Sequence, residues 1–149
     1  GKQAKYINEE QSQDYIAGYC VVNDLSERAF QLEHSGQWVK GKSCDTFGPI
    51  GPYLVTNDEI SDPQNLKMWL DVNGKRMQEG STKTMVYGVN YIVSYLSQFM
   101  SLHSGDIIST GTPAGVGMGM KPQVFLKHGD VMKLGIEGLG DQTQKTISA

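Results

Sequence analysis

Leu66, Met68, Leu70 and Val72 alternate with Lys67, Trp69 and Asp71 and run directly into Asn73-Gly74. Two residues that accept positive φ after an alternating stretch are the strongest short-range hairpin signal, because a type I′ turn matches the twist of the strands it joins. The partner strand is expected over Lys75 to Gln78, one face buried and one wet. An isolated hairpin is marginal in water, so the rest of the chain must cover its apolar face. With 149 residues one domain is expected, burying roughly two thirds of its extended-chain surface. The 18 glycines have no period, which fits tight turns between short strands rather than disorder.

Other elements follow from local signals. Asn8 is placed to cap a short helix from Glu9 to Ile16, stopped by Gly18. Tyr19 to Asn23 reads as a short buried strand that delivers Asp24 to its end. Leu25, Arg28, Ala29 and Leu32 then recur at helical spacing, with Ser26 or Asp24 as the cap, and Arg28 and Gln31 share one face. His34 to Trp38 reads as loop. The polar stretch Gly41-Lys42-Ser43-Cys44-Asp45-Thr46-Phe47 lies among breakers and suits a ligand-facing loop. Tyr53-Leu54-Val55 resumes a strand. Val89 to Met100 is the clear amphipathic helix, its tyrosines and methionines read as core filling. Thr110-Gly111-Thr112-Pro113-Ala114-Gly115-Val116-Gly117 lacks the Gly-Lys-Ser/Thr ending of a phosphate loop, and nucleotide binding is not expected. Met132, Leu134 and Ile136 alternate in a last strand, and the tail after Asp141 is merely polar. The coarse reading is mainly β (α+β), in a mixed sheet or roll.

Thirteen basic residues against sixteen acidic give a net charge of -3, with no basic face to neutralise a phosphate backbone. Nucleic-acid binding is not expected. No run approaches the ~20 apolar residues of a membrane span, and Gly1 to Lys5 lacks the apolar stretch of a signal peptide. A cytoplasmic protein without a membrane partner is the expectation. Cys20 and Cys44 then read as small buried hydrophobes rather than a disulfide. His34, His103 and His128 sit in turns without a spacing partner for a metal site or triad.

The segment leaving the Tyr19–Asn23 strand carries the chemistry. Asp24 offers a hard oxygen to a divalent cation, and equally a helix cap worth about 1 kcal/mol. Lys42 is a point charge for a carboxylate or enolate, or a solvated loop lysine. Arg28 and Gln31 face a ligand, or Arg28 pairs with Glu27 or Glu33.

These residues stand in a familiar order. Gly18-Tyr19 through Asn23-Asp24-Leu25-Ser26-Glu27-Arg28 and Gln31, Gly41-Lys42-Ser43 with Asp45-Thr46, Gly48-Pro49, Asn73-Gly74 and Ser109 to Gly117 resemble the fumarylacetoacetate hydrolase family along nearly the whole chain. Within it the likeness is greatest to the 2,4-diketo-3-deoxy-L-fuconate hydrolase group, often labelled ureidoglycolate lyase or fumarylacetoacetate isomerase/hydrolase. The resemblance implies a mixed β-roll with a few short helices and one longer one, a homodimer, and Mg²⁺ or Mn²⁺, with Ca²⁺ as a third candidate. It implies a keto-acid substrate. In the family the ion is held by a Glu-x-Glu strand and an aspartate, and Asp24 matches the aspartate. Lys42 matches a catalytic and substrate-binding lysine, Arg28 and Gln31 match substrate-facing positions, Thr112 a residue on the substrate carboxylate, and Thr46 a position near the metal shell. The glutamates and a water-activating His-Glu pair lie upstream in relatives, so residues 1–149 are expected to be a catalytic domain lacking that N-terminal part. The implied reaction is hydrolysis of a C–C bond in an acylpyruvate or 2,4-diketo-3-deoxy sugar acid. Decarboxylation or isomerisation of related keto acids is the alternative, as is a catalytically silent fragment with a dimer-packing role.

Overall fold

The computed structural model describes residues 1–148. The hairpin forms as the sequence requires, with β3 (Lys67–Val72) and β4 (Lys75–Ser81) turning through Asn73 and Gly74, both at positive φ. β5 (Val131–Ile136) pairs along the free edge of β3, and β6 (Gly140–Lys145) along β5, giving a four-stranded sheet in the order β4-β3-β5-β6. A second, two-stranded sheet pairs β1 (Gly18–Val22) with β2 (Ile50–Thr56). All four ladders are antiparallel, so the parallel pairs of a mixed sheet are not among the described residues. The class is mainly β with few helices, as expected.

Between the sheets lies a core of Val21, Val55, Ile60, Leu134 and Leu139. A second cluster, Ala4, Ile7, Val93 and Leu102, lies under α2 (Val89–Phe99). There Ala4 and Leu102 exchange backbone hydrogen bonds of 2.9 Å, and buried Ser97 accepts from the Ile7 amide. The tyrosines of α2 are not core filling. Tyr91 and Tyr95, with Tyr87 before the helix and Phe99 at its end, recur every four residues on the outer stripe. They pack on one another in solvent, with successive ring centroids 4.8, 5.8 and 4.9 Å apart.

β6 arises from the tail whose polarity hid it. Gln142 and Gln144 alternate inward where apolar residues would be sought, and their amides join the two sheets. Gln142 donates to the Val21 and Gly51 carbonyls at 3.0 and 3.3 Å and accepts from Gln144 at 2.6 Å; Gln144 accepts from Asn23 at 3.0 Å. On β3, half-buried Trp69 lies under two cations, Arg76 at 5.0 Å and Lys133 at 5.8 Å from its centroid.

Several local expectations need correction. Asn8 and Gln11 do exchange side-chain to backbone bonds, but only a 3-10 turn, Ser12–Tyr15, follows before Ile16 becomes extended. α1 is shorter than its periodicity, Arg28–Leu32, and Glu27 caps it through the Ala29 amide. Ser26 and Asp24 cannot cap, because Leu25 donates to the Asn23 carbonyl and the chain turns there first. Trp38–Gly41 is a 3-10 turn where loop was expected. Among the described residues no helix is long and apolar enough to cross a membrane.

Candidate active site

A cleft of about 740 Å³ opens where β1 ends, lined by Asn23, Asp24 and Arg28 on one side and by Gln78 of β4 with Gly115 and Val116 on the other. Asn23 is buried and tied to Gln144, so the backbone leaves β1 from a fixed point. The Asp24 carboxylate meets the Lys42 ammonium at 2.6 Å, the two side chains 47% and 29% exposed. These residues are eighteen apart in the chain. What joins them is Gly41, whose carbonyl accepts from the Glu27 amide at 2.8 Å. A Cβ on Gly41 would meet the Glu27 carbonyl and the Gln31 side chain, so only glycine lets the two backbones approach and present Lys42 to Asp24.

Gln31 is wholly buried at this junction. Its Nε2 donates to the Trp38 carbonyl at 3.2 Å, and its Oε1 accepts from Arg28 at 2.8 Å. The side chain that shares a face with Arg28 thus clamps α1 to the Trp38–Gly41 turn and orients the guanidinium. The alternative pairing of Arg28 with Glu27 or Glu33 is not formed, since the Glu27 carboxylate is used at the cap. Thr46 is exposed in the turn closed by Phe47 on Cys44, at φ 65. Positive φ at a β-branched residue is rare and costs of order 1–3 kcal/mol.

Thr112 lies exposed in the loop after Gly111. Its hydroxyl oxygen accepts from Gln78 Nε2 at 2.7 Å, and the same amide donates to the Pro113 carbonyl at 2.8 Å. Gln78 was missed by sequence reasoning. Its signal was a glutamine at the inward position of a hairpin strand, across from Leu70 on β3.

Asp24 is the one carboxylate these candidates offer, and it is held by an ammonium. No group of three His, Cys, Asp or Glu side chains that could hold a metal exists among the described residues. These residues alone therefore do not fit a Mg²⁺ or Mn²⁺ ion, which takes about six oxygen ligands. Farther along the cleft, Asp130 is held below the usual carboxylate range by hydrogen bonds from the Asn73 amide side chain and the Lys127 backbone. Burial pushes the Cys20 thiol up, and Cys20 and Cys44 are both free. His128 also lines the cleft, but its Nδ1 accepts from the Ser148 amide at 3.0 Å.

The family model described as fumarylacetoacetate (FAA) hydrolase, C-terminal, matches residues 1–147. A Burkholderia orbicola protein provisionally named a hydrolase is 59% identical over the whole chain, which covers 53% of that protein. The chain spans about half the length of the curated relatives it matches. A fumarylacetoacetate hydrolase from Exiguobacterium antarcticum superposes with a TM-score of 0.96 at 42% identity, over 100% of this chain and 53% of its own. Maleylpyruvate hydrolase from Sphingobium does so at 0.85 and 30%, over 99% of this chain and 50% of its own.

Proposed function

Because the chain belongs to the fumarylacetoacetate hydrolase family, we propose that it carries part of the site of a divalent-metal-dependent hydrolase. That enzyme would cleave a C–C bond in an acylpyruvate or a 2,4-diketo-3-deoxy sugar acid. The observation that carries this reading is the Asp24–Lys42 pair at 2.6 Å, bordering the cleft that Arg28 also lines. One carboxylate suited to a hard cation and two fixed cations suited to an anionic ligand stand together, in a protein of net negative charge.

The chemistry follows from those charges. Water adds to the carbonyl distal to the carboxylate and the C–C bond beside it breaks; the hydrated acyl carbon becomes a carboxylic acid, and the pyruvoyl carbon leaves as an enolate that takes up a proton to give pyruvate or a related acid. On this reading Lys42 supplies the positive charge that stabilises the developing enolate. Arg28, its orientation fixed by Gln31, neutralises the substrate carboxylate, and Thr112 hydrogen-bonds it. Asp24 is the one metal ligand these residues supply, so the ion's remaining ligands, like the water-activating base, are assigned to no residue described above. Thr46 is assigned to the surroundings of the metal, in a turn whose positive φ is strained. The same reading includes a cytoplasmic homodimer.

The test is ultraviolet decay of an acylpyruvate panel that includes a 2,4-diketo-3-deoxy sugar acid, with Mn²⁺ and then with EDTA, and proton spectra of the products. Decay that EDTA stops, with release of pyruvate or a related acid, is expected. Double-bond migration or loss of carbon dioxide instead would move the assignment to an isomerase or decarboxylase. Decay unaffected by EDTA would remove the metal from it.

A further inference from the structure

Gln78 has no role in the chemistry above, yet it is the one polar side chain that β4 turns inward almost completely, at 9% exposed, toward apolar Leu70. A leucine there would be buried without a polar cost, whereas a buried amide needs its partners. Those partners are informative. A carbonyl oxygen only accepts, so the atom at 2.8 Å from the Pro113 oxygen must be the amide nitrogen, and the orientation of the Gln78 amide follows. Its second N–H then points at Thr112 Oγ1, 2.7 Å away. The Thr112 oxygen is thereby an acceptor inside the protein, and its own proton is left to point outward, where Thr112 is exposed.

The loop cannot drift from this contact. A Cβ on Gly115, at φ 111, would strike the carbonyl of Met77, the residue beside Gln78. A Cβ on Gly80, two residues along β4, would come within 2.7 Å of the Pro113 ring. The Thr110–Gly117 loop therefore lies against β4 on both sides of Gln78.

We propose that Gln78 is a positioning residue for the substrate carboxylate: it holds the Thr112 hydroxyl as an outward hydrogen-bond donor. This rests on the keto-acid reading above. A hydroxyl that must donate favours a carboxylate, both of whose oxygens accept and carry charge, over the corresponding amide, which accepts through its one oxygen only.

The experiment measures binding of pyruvate and of pyruvamide, with KM and kcat for the best substrate, in the protein with its metal. Wild type is compared with Gln78→Leu, Thr112→Val and the double variant. Loss of one hydrogen bond to a charged group is expected to weaken pyruvate about tenfold in Gln78→Leu and to raise KM more than it lowers kcat. Pyruvamide affinity should change less than about twofold, and Gln78→Leu should add little in the Thr112→Val background, since coupled residues are not additive. Equal weakening of both ligands, or additive losses, would mean that Gln78 only packs the sheet and would overturn the proposal. Unchanged pyruvate binding in Gln78→Leu overturns it as well while leaving the keto-acid reading intact. A wild type that binds no pyruvate sinks that reading and this inference with it. If Gln78→Leu does not fold, the isosteric Gln78→Glu serves, because its carboxylate draws the Thr112 proton inward. Its pyruvate binding should fall further than the leucine variant's estimate, and retention of wild-type binding would end the proposal.

Discussion

Asp24 and Lys42 hold each other with both side chains only part-exposed, whereas Gln78 and Thr112 are held by the backbone of a strand and a loop lying against it. The first pair is strong in charge and weak in constraint. A part-exposed ion pair contributes ~0–1 kcal/mol to stability, so a ligand of either sign can exchange for one member at little cost. The second pair has no net charge and cannot be rearranged without moving β4. The charged wall is suited to a partner that changes during a reaction, and the neutral wall to reading a shape that does not.

The contrast is broken most severely at Asp24. Asp24→Ala should abolish metal-dependent turnover, by at least about a thousandfold, and a near-normal rate in the acylpyruvate assay would remove Asp24 from the site. Lys42→Met should lower kcat about a hundredfold yet shift the melting temperature by no more than a few degrees, since the lost pair is solvated. A large melting shift with retained activity would make the pair structural and reverse the comparison. On the neutral wall the order inverts. Gly115→Ala, forced against the Met77 carbonyl at positive φ, should cost about 2–4 kcal/mol of stability in urea unfolding. A variant as stable as wild type would mean that the loop is not pinned to β4. Gln142→Ala, which leaves the Val21 and Gly51 carbonyls without their donor, should cost about 1–3 kcal/mol, read the same way.

The smallest effect is one of pH. Asp130 has its folded pKa lowered by the Asn73 and Lys127 hydrogen bonds. Its contribution is therefore complete above the ordinary carboxylate value of ~3.9 and is lost as pH falls from there through the lower folded value. Asp130→Asn should lower the melting temperature slightly at neutral pH, where that contribution is complete, and flatten the acid part of the profile, where the wild type loses it. An unchanged acid limb would assign the loss to other carboxylates.

What could be read from the sequence was local. The Asn73-Gly74 hairpin and the Val89–Phe99 helix needed only neighbours in the chain; the helix forms within one residue of expectation, and the second hairpin strand runs three residues past the expected Gln78. Strand β6 was invisible because its inward residues are Gln142 and Gln144; period two was present, but written in amides whose partners lie about ninety to a hundred and twenty residues away. The outward aromatic stripe of α2 was misplaced since a 3.6-residue period marks two faces and does not say which is inside. At the site, Asp24, Arg28 and Lys42 were visible as residues, but their geometry was not. It depends on Gly41 meeting Glu27, a tertiary contact. Gln31 was legible as a member of the Arg28 face, and its burial was not.

The placement of the two tryptophans gives the molecule its own optical instrument. Trp38 is more than half exposed, and its carbonyl is the acceptor of the Gln31 clamp, four residues ahead of Lys42. Trp69 is half-buried on the central hairpin beneath two cations. With Trp69 replaced by phenylalanine, the remaining emission reports the loop that carries Lys42, and with Trp38 replaced it reports the sheet. Binding at the loop and unfolding of the sheet can then be followed separately, one in each single-tryptophan protein.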